Sequence, residues 1–133
     1  MKQELTIVIP AYNERESLEA HLGPWLEECS RQAWRLVVID DGSTDGTDRV
    51  LSEHAAHPRL SAFRHRGNRG YGNALKTGLY RVATPLVATL DADGQHRLED
   101  VPRLLEAMRL QGADMVIGAR VRNDTSGAYR RLG

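Results

Sequence analysis

A chain of 133 residues, 41% hydrophobic and 27% charged, is long enough to bury one core and too short for two domains of ordinary size. Its 18 basic and 18 acidic residues cancel, which excludes nucleic-acid binding driven by bulk positive charge. A single cysteine, Cys29, excludes an internal disulfide and a cysteine-based zinc cluster, and no apolar run approaches the roughly 18 residues that span a bilayer.

Met1 to Tyr12 carries Glu4 ahead of too short an apolar core for a signal peptide, so a soluble protein in a reducing, cytoplasmic setting is expected. Leu5 to Ile9 reads as a first strand closed by Pro10, with polar Asn13 and Glu14 directly after it. From Ser17 to Arg31 the apolar residues Leu18, Leu22, Leu26 and Cys29 recur at helical spacing, with Ser17 as N-cap and Pro24 expected to kink or break the helix. Trp34 to Ile39 is a second strand running straight into Asp40 and Asp41. Ser43 or Thr44 is expected to cap a second helix that reaches about His54, with Val50 and Leu51 inward.

Leu60 to His65 is a weaker third strand, and the turn Gly67 to Gly72 opens a third helix, bearing Leu75, Leu79 and Val82, through about Val82. Leu86 to Leu90 is short, apolar and partly β-branched, which predicts a fourth strand buried on both faces. A fourth helix follows, tolerating Pro102 in its first turn and turning Leu104, Leu105 and Met108 inward. Met115 to Ala119 reads as a fifth strand, with Arg120 after it. From Val121 the sequence is polar and Arg-rich, so 1–120 is taken as the folded domain and 121–133 as a tail or the start of another segment.

Strands alternating with helices predict an α/β fold, a mostly parallel sheet flanked by helices on both faces. Each polar motif then falls just after a strand, on the sheet edge where such folds bind ligands. Asp91 and Asp93 are the sharpest of these: residues i and i+2 of extended backbone project to one side, so the two carboxylates can converge. Carboxylates side by side repel unless a cation lies between them, and their hard oxygens suit Mg²⁺ or Mn²⁺. Asp40 or Asp41 is placed to accept from a base N–H or a ribose hydroxyl, and the Asn68 to Ala74 turn leads into a helix N-terminus that favours anions.

Taken together, Pro10-Ala11-Tyr12-Asn13-Glu14, the Asp40 to Thr47 run, the Asn68 to Gly78 run and Asp91-Ala92-Asp93-Gly94-Gln95-His96 resemble, in order and spacing, the motifs of inverting family 2 glycosyltransferases. The likeness runs from Leu5 to Arg120 and points to the branch of dolichol-phosphate mannosyltransferase and bacterial polyprenyl-phosphate glycosyltransferases. The resemblance implies a GT-A type fold with a nucleotide-sugar site across the strand ends. Pro10, Tyr12 and Glu14 would border the base and ribose, with Asp40 or Asp41 contacting them. Asp91, Ala92 and Asp93 would lie against the nucleotide sugar, and Asp91, Asp93 and Gln95 would surround the metal and diphosphate, making Asp91 and Asp93 the catalytic pair. Arg97-Leu98 stands where this branch commonly has prolines after His96.

The expected activity is metal-assisted sugar transfer, with inversion, from a nucleoside-diphosphate sugar to a polyprenyl phosphate, whose anionic oxygen needs no strong general base. Arg120, Arg122, Arg130 and Arg131 are candidates for the acceptor phosphate. Similar enzymes continue past the position of Gly133 with an acceptor-binding segment, so low turnover, some self-association, and peripheral contact with the inner face of a membrane only in a longer form are expected. Two other readings compete. One is a nucleotide-binding module without an acceptor site; the other is a DxD phosphohydrolase with Asp91 as nucleophile and Asp93 as acid/base.

Overall fold

The computed structural model of the chain describes residues 4–119. The elements are β1 (Leu5–Ala11), α1 (Arg15–Gln32), β2 (Arg35–Asp40), α2 (Thr47–Glu53), β3 (Leu60–Arg64), α3 (Tyr71–Leu79), β4 (Leu86–Thr89) and α4 (Val101–Gln111). The four strands form one parallel sheet in the order β3-β2-β1-β4. Residues through His96 pack as one unit and those from Arg97 as another.

Alternation along the strands sorts the core into two layers. Val8, Val37 and Ile39 point to one face, where they meet Ala74 of α3 together with Phe63, Leu75 and Val82. Ile7, Ile9, Leu36 and Val38 point the other way, are as fully buried, and lie on the side of α1, which packs on β2 and α2. The sheet is therefore covered on both faces, as the strand–helix alternation predicts. α3 approaches closely because Gly78 presents no side chain: a Cβ there would collide with Val8 Cγ1 and stand 3.3 Å from Ile39 Cγ1. Burial of Cys29 pushes its thiol up to about 12, which leaves it a packing residue and no nucleophile at neutral pH.

Several boundaries differ from expectation, each for a physical reason. α1 begins at Arg15, two residues before Ser17, because the Glu14 and Arg15 N–H groups are capped from outside, by Thr47 Oγ1 at 3.1 Å and Asp45 Oδ2 at 3.1 Å. Ser17 therefore lies inside the first turn and does not cap it. α1 also runs unbroken through Pro24 to Gln32. Gly23 offers no Cβ to the proline ring, and Ala20, whose carbonyl Pro24 leaves without its helical donor, is an exposed residue.

α2 starts at Thr47, after Gly46, and neither Ser43 nor Thr44 caps it; the Thr47 N–H donates to Asp45 Oδ1 at 2.9 Å instead. α3 stops at Leu79, short of Val82. β4 pairs only with β1 among the described residues and is half-exposed, with Val87 44% exposed, so it is an edge strand and not one buried on both faces. Its apolar run carries no mark of its place in the sheet.

In the second unit a 3₁₀ turn over Leu98–Asp100 leads into α4, with Pro102 in its first turn and Leu104, Leu105 and Met108 half-buried. The fifth strand expected at Met115–Ala119 is not seen: among the described residues the segment pairs with no strand, and Met115 and Ile117 are exposed. A short apolar run becomes a strand only where another strand supplies its hydrogen bonds. Arg120, Arg122, Arg130 and Arg131, and with them the Arg-rich tail, lie outside the described residues. Among the described residues no helix is long and apolar enough to cross a membrane.

Candidate functional site

Parallel register brings Ala11, Asp40 and Arg64 side by side at the carboxyl ends of β1, β2 and β3. Leu90 N–H donates to Val8 O at 3.1 Å, which delivers Asp91 to the same edge. Here a cavity of about 370 Å³ opens. Pro10, Tyr12 and Glu14 line it from the end of β1, Asp41 from the end of β2, Asn68, Gly70 and Tyr71 from the turn into α3, and Asp91, Ala92 and Asp93 from the chain after β4. Among the described residues, two of the sequence-predicted site residues are absent from this lining, Asp40 and Gln95.

The Asp91 carboxylate is placed by its neighbours. Its Oδ1 accepts from the Tyr71 hydroxyl at 3.2 Å. Its backbone N–H donates to His96 Nδ1 at 2.9 Å, so that ring carries its proton on Nε2, which stands 3.7 Å from Asp91 Oδ2. Asp93 Oδ1 accepts the Gln95 N–H at 2.9 Å, so Gln95 contributes a backbone group while its side chain is exposed. Ser17 reaches in from α1 to donate its hydroxyl to the carbonyl of Ala92, which is itself buried. The DxD turn is thus held from two sides by residues that sequence alone assigned elsewhere, Ser17 to a helix cap and Tyr71 to no role.

Glu14 shares the cavity with the carboxylates of Asp91 and Asp93. Burial pushes the Glu14 carboxyl above the usual glutamate range, and the charges of Asp93, Asp45 and Asp91 push it further. Burial likewise raises the Tyr71 hydroxyl, with the Asp91 charge adding to it. Among the described residues no ion pair reaches Glu14 or Asp93, and no three side chains of His, Cys, Asp or Glu are grouped to hold a metal on their own. Two hard carboxylates in a negative field suit a divalent cation that takes its remaining ligands from water or phosphate oxygens.

The folded chain holds the Glu14 proton more tightly than the unfolded one, so this group's contribution is full below its ordinary value and lost as pH rises through the raised one. Glu14→Gln is therefore expected to raise Tm at pH 7 and to have no such effect near pH 4. Adding Mn²⁺ should narrow the pH 7 difference by lowering the cost of the charge. Equal Tm values at pH 7 without metal would contradict the repulsion.

The two aspartates at the end of β2 do different work. Neighbouring residues of a strand point to opposite sides, so only one of them can face the cavity. Asp40 is buried away from it: Oδ1 accepts the Ser43 N–H at 2.9 Å, and Oδ2, with no hydrogen-bond partner, stands 3.5 Å from Arg64 Nε. Arg64 also donates to Ser43 O at 3.0 Å and to Asp48 at 3.1 Å, which pins the loop after β2. Asp41, 2% exposed, faces the cavity wall. Its Oδ1 receives His65 Nδ1 at 2.7 Å and the Arg69 N–H at 2.9 Å, and its Oδ2 receives the Gly70 N–H at 2.9 Å. Burial alone would raise this carboxyl; the bonds from His65, Arg69 and Gly70 outweigh it and hold the group below the usual aspartate range.

The loops after β1 and β2 interlock. Asn13 adopts a left-handed φ of 51°, donates its N–H to Ser43 Oγ at 2.9 Å and accepts the Thr44 N–H on Oδ1 at 2.9 Å. With the caps that Thr47 and Asp45 supply to α1, this fixes the backbone that carries Tyr12 and Glu14.

The sequence profile of glycosyl transferase family 2 matches residues 6–133. A protein of Pectobacterium carotovorum, undecaprenyl-phosphate 4-deoxy-4-formamido-L-arabinose transferase, is 35% identical over 134 residues, covering 98% of this chain and 40% of that protein. Its counterpart in Photorhabdus laumondii is 36% identical over 133 residues, with 97% and 40% covered. The chain therefore spans about 40% of the length of these curated relatives. Among solved structures, the mannosyltransferase PcManGT of Pyrobaculum calidifontis, in complex with GDP-Man and Mn²⁺, superimposes with a TM-score of 0.69 at 27% identity, over 81% of this chain and 33% of that one. The parallel sheet covered on both faces is thus the GT-A architecture, and the chain belongs to glycosyl transferase family 2.

Proposed function

We propose that the strand-end cavity binds the nucleoside-diphosphate part of a sugar donor through a divalent cation held by Asp91 and Asp93. One observation carries this reading: Asp91, Asp93 and Glu14 converge on one cavity, and among the described residues no lysine or arginine pairs with them. A diphosphate is itself anionic, so it enters such a cavity only with a metal. The complex of PcManGT with GDP-Man and Mn²⁺ supports the same pairing, with Mg²⁺ as the other candidate ion. When bound, the metal neutralises charge gathering on the departing nucleoside diphosphate.

The chain's own residues bind and orient. Pro10 and Tyr12 flank the base and ribose, Asp41 fixes the opposite wall, and Ser17, Tyr71 and His96 hold the carboxylates in place. The activity we propose is inverting transfer of the sugar to a polyprenyl phosphate, the acceptor that the Pectobacterium relative's name specifies. An acceptor phosphate oxygen attacks the anomeric carbon as the bond to the nucleoside diphosphate breaks, and because that oxygen is already anionic no base is required. Arg120, Arg122, Arg130 and Arg131 are the proposed acceptor-phosphate ligands. On this reading the protein works where nucleotide sugars and a polyprenyl phosphate meet, at the cytoplasmic face of a membrane.

A thermal-shift panel of UDP, GDP, CDP and dTDP, each with Mn²⁺, tests the donor half. A ligand at a hundred times its dissociation constant adds about 2.7 kcal/mol, which moves Tm by several degrees. One or two of the four are expected to do so. A flat response to all four would overturn the reading.

A further inference from the structure

His65 follows β3 and is 7% exposed, in a place where an apolar side chain would need no partners. Both of its ring nitrogens are nonetheless engaged. Nδ1 stands 2.7 Å from Asp41 Oδ1 and Nε2 stands 2.8 Å from Thr77 Oγ1, while the His65 N–H donates to Asp40 O at 2.9 Å. A carboxylate only accepts, so Nδ1 carries the proton that faces Asp41. Nε2 is then free to accept the Thr77 hydroxyl proton, which Thr77 otherwise gives to Asn73 O at 3.0 Å. Thr77 does not line the cavity, so this Asp–His–Thr chain has no nucleophile to offer a substrate. What it touches instead is the carboxylate that holds the cavity wall.

We infer that His65 is a positioning residue of the donor site: its Nδ1–H sets the Asp41 carboxylate in the orientation that receives the Arg69 and Gly70 N–H groups, and thereby holds the wall made by Asn68 and Gly70. Three observations support this. Asp41 Oδ1 is shared between the ring and the Arg69 N–H, so rotating the carboxylate breaks both bonds. Oδ2 is committed to the Gly70 N–H, which leaves the ring no alternative oxygen. Thr77 and the burial of the ring fix its plane from behind, so the Nδ1–H direction is set by α3 and not by solvent.

The inference rests on the nucleotide-binding reading above, and two conservative substitutions separate its two bonds. The amide nitrogen of His65→Asn falls close to Nδ1 and keeps the bond to Asp41. That of His65→Gln falls close to Nε2 and reaches only Thr77, donating to its Oγ1 while Thr77 gives its proton to Asn73 O. Calorimetric titration with Mn²⁺ and the nucleoside diphosphate that binds the unmodified chain best, alongside Tm, reads both consequences. His65→Asn is expected to bind within about threefold of the unmodified chain. His65→Gln and His65→Ala should bind roughly tenfold more weakly, the worth of one hydrogen bond to a charged group. Tm should fall for all three.

Affinity that simply tracks Tm across the three variants, or His65→Gln or His65→Ala binding as tightly as the unmodified chain, would overturn the inference. Where a variant does not fold, ¹⁵N NMR of the unmodified chain decides, since the tautomer with the proton on Nδ1 is required and one protonated only on Nε2 contradicts it. An unmodified chain that binds none of the nucleoside diphosphates removes the functional reading and this inference with it, an outcome distinct from the others.

Discussion

Replacing Asp41 with alanine is expected to cost about 2–4 kcal/mol of stability and to abolish nucleoside-diphosphate binding, because it takes the buried acceptor from the donors that converge on it. Three donors converge on this carboxylate, His65 Nδ1–H and the Arg69 and Gly70 N–H groups, and the side chain is almost wholly buried. Water cannot replace a lost acceptor there without opening the turn. A domain of this size is stable by only about 5–15 kcal/mol in total, so the loss is a large fraction of the whole. Urea unfolding checks it; a change below about 1 kcal/mol, the worth of an ordinary hydrogen bond, would remove Asp41 from its bracing role.

The same carboxylate makes a pH prediction with a definite sign. Its folded-state pKa lies below the ordinary 3.8, so its contribution is present above that value and is lost as pH falls through the depressed one. The unmodified chain should therefore shed this part of its stability in acid, and the Asp41→Ala variant should show a shallower acid-unfolding profile.

Gly42→Ala carries the second large effect, about 2–5 kcal/mol, and it acts on the same wall from the backbone side. Gly42 has φ of +75°, a left-handed conformation that costs a residue with a Cβ about 1–2 kcal/mol. The added Cβ would also lie 2.5 Å from the Gly67 carbonyl carbon and 2.7 Å from the Asn68 nitrogen. These are backbone atoms, which have no rotamer to change, so overpacking adds about 1–3 kcal/mol. Relief comes only by moving Gly67 and Asn68, which displaces the cavity wall, so affinity should fall with stability. Gly72→Ala is the control: no atom outside its own helix backbone and chain neighbours lies within 4 Å of its added Cβ, and in the first turn of α3 it should be neutral or stabilising. A Gly42→Ala chain as stable as the original would contradict the close approach.

Much of the site was legible in local pattern. An apolar run ending in Asp91 and Asp93, and strands alternating with helices, are enough to place the polar motifs on one sheet edge. The harder distinctions depend on residues far apart in sequence. Ser17 looks like an N-cap because it precedes an apolar helix, but the true caps of α1 come from Asp45 and Thr47, about thirty positions on. Asp40 and Asp41 are equal candidates by type; period-two alternation says they face opposite ways, yet only the fold says which way is the cavity. β4 and Met115–Ala119 are both short apolar runs, and composition alone does not tell an edge strand from a central one, or either from a segment with no ladder. His65 has no periodic signature at all. Its role comes from contacts with Asp41 and Thr77, 24 and 12 residues away.

Calorimetry tests most directly whether Asp91 and Asp93 would hold a cation that recruits a diphosphate. The nucleoside diphosphate that binds best is titrated into the unmodified chain and into Asp93→Asn, each with and without Mn²⁺. Asparagine keeps the shape of the side chain and removes the charge that recruits the metal. Affinity of the unmodified chain is expected to rise at least tenfold on adding Mn²⁺, a coupling of about 1.4 kcal/mol or more, and Asp93→Asn should show no such gain. Equal affinity with and without Mn²⁺ in the unmodified chain, or the same metal gain in Asp93→Asn, would contradict a site in which these carboxylates share a cation.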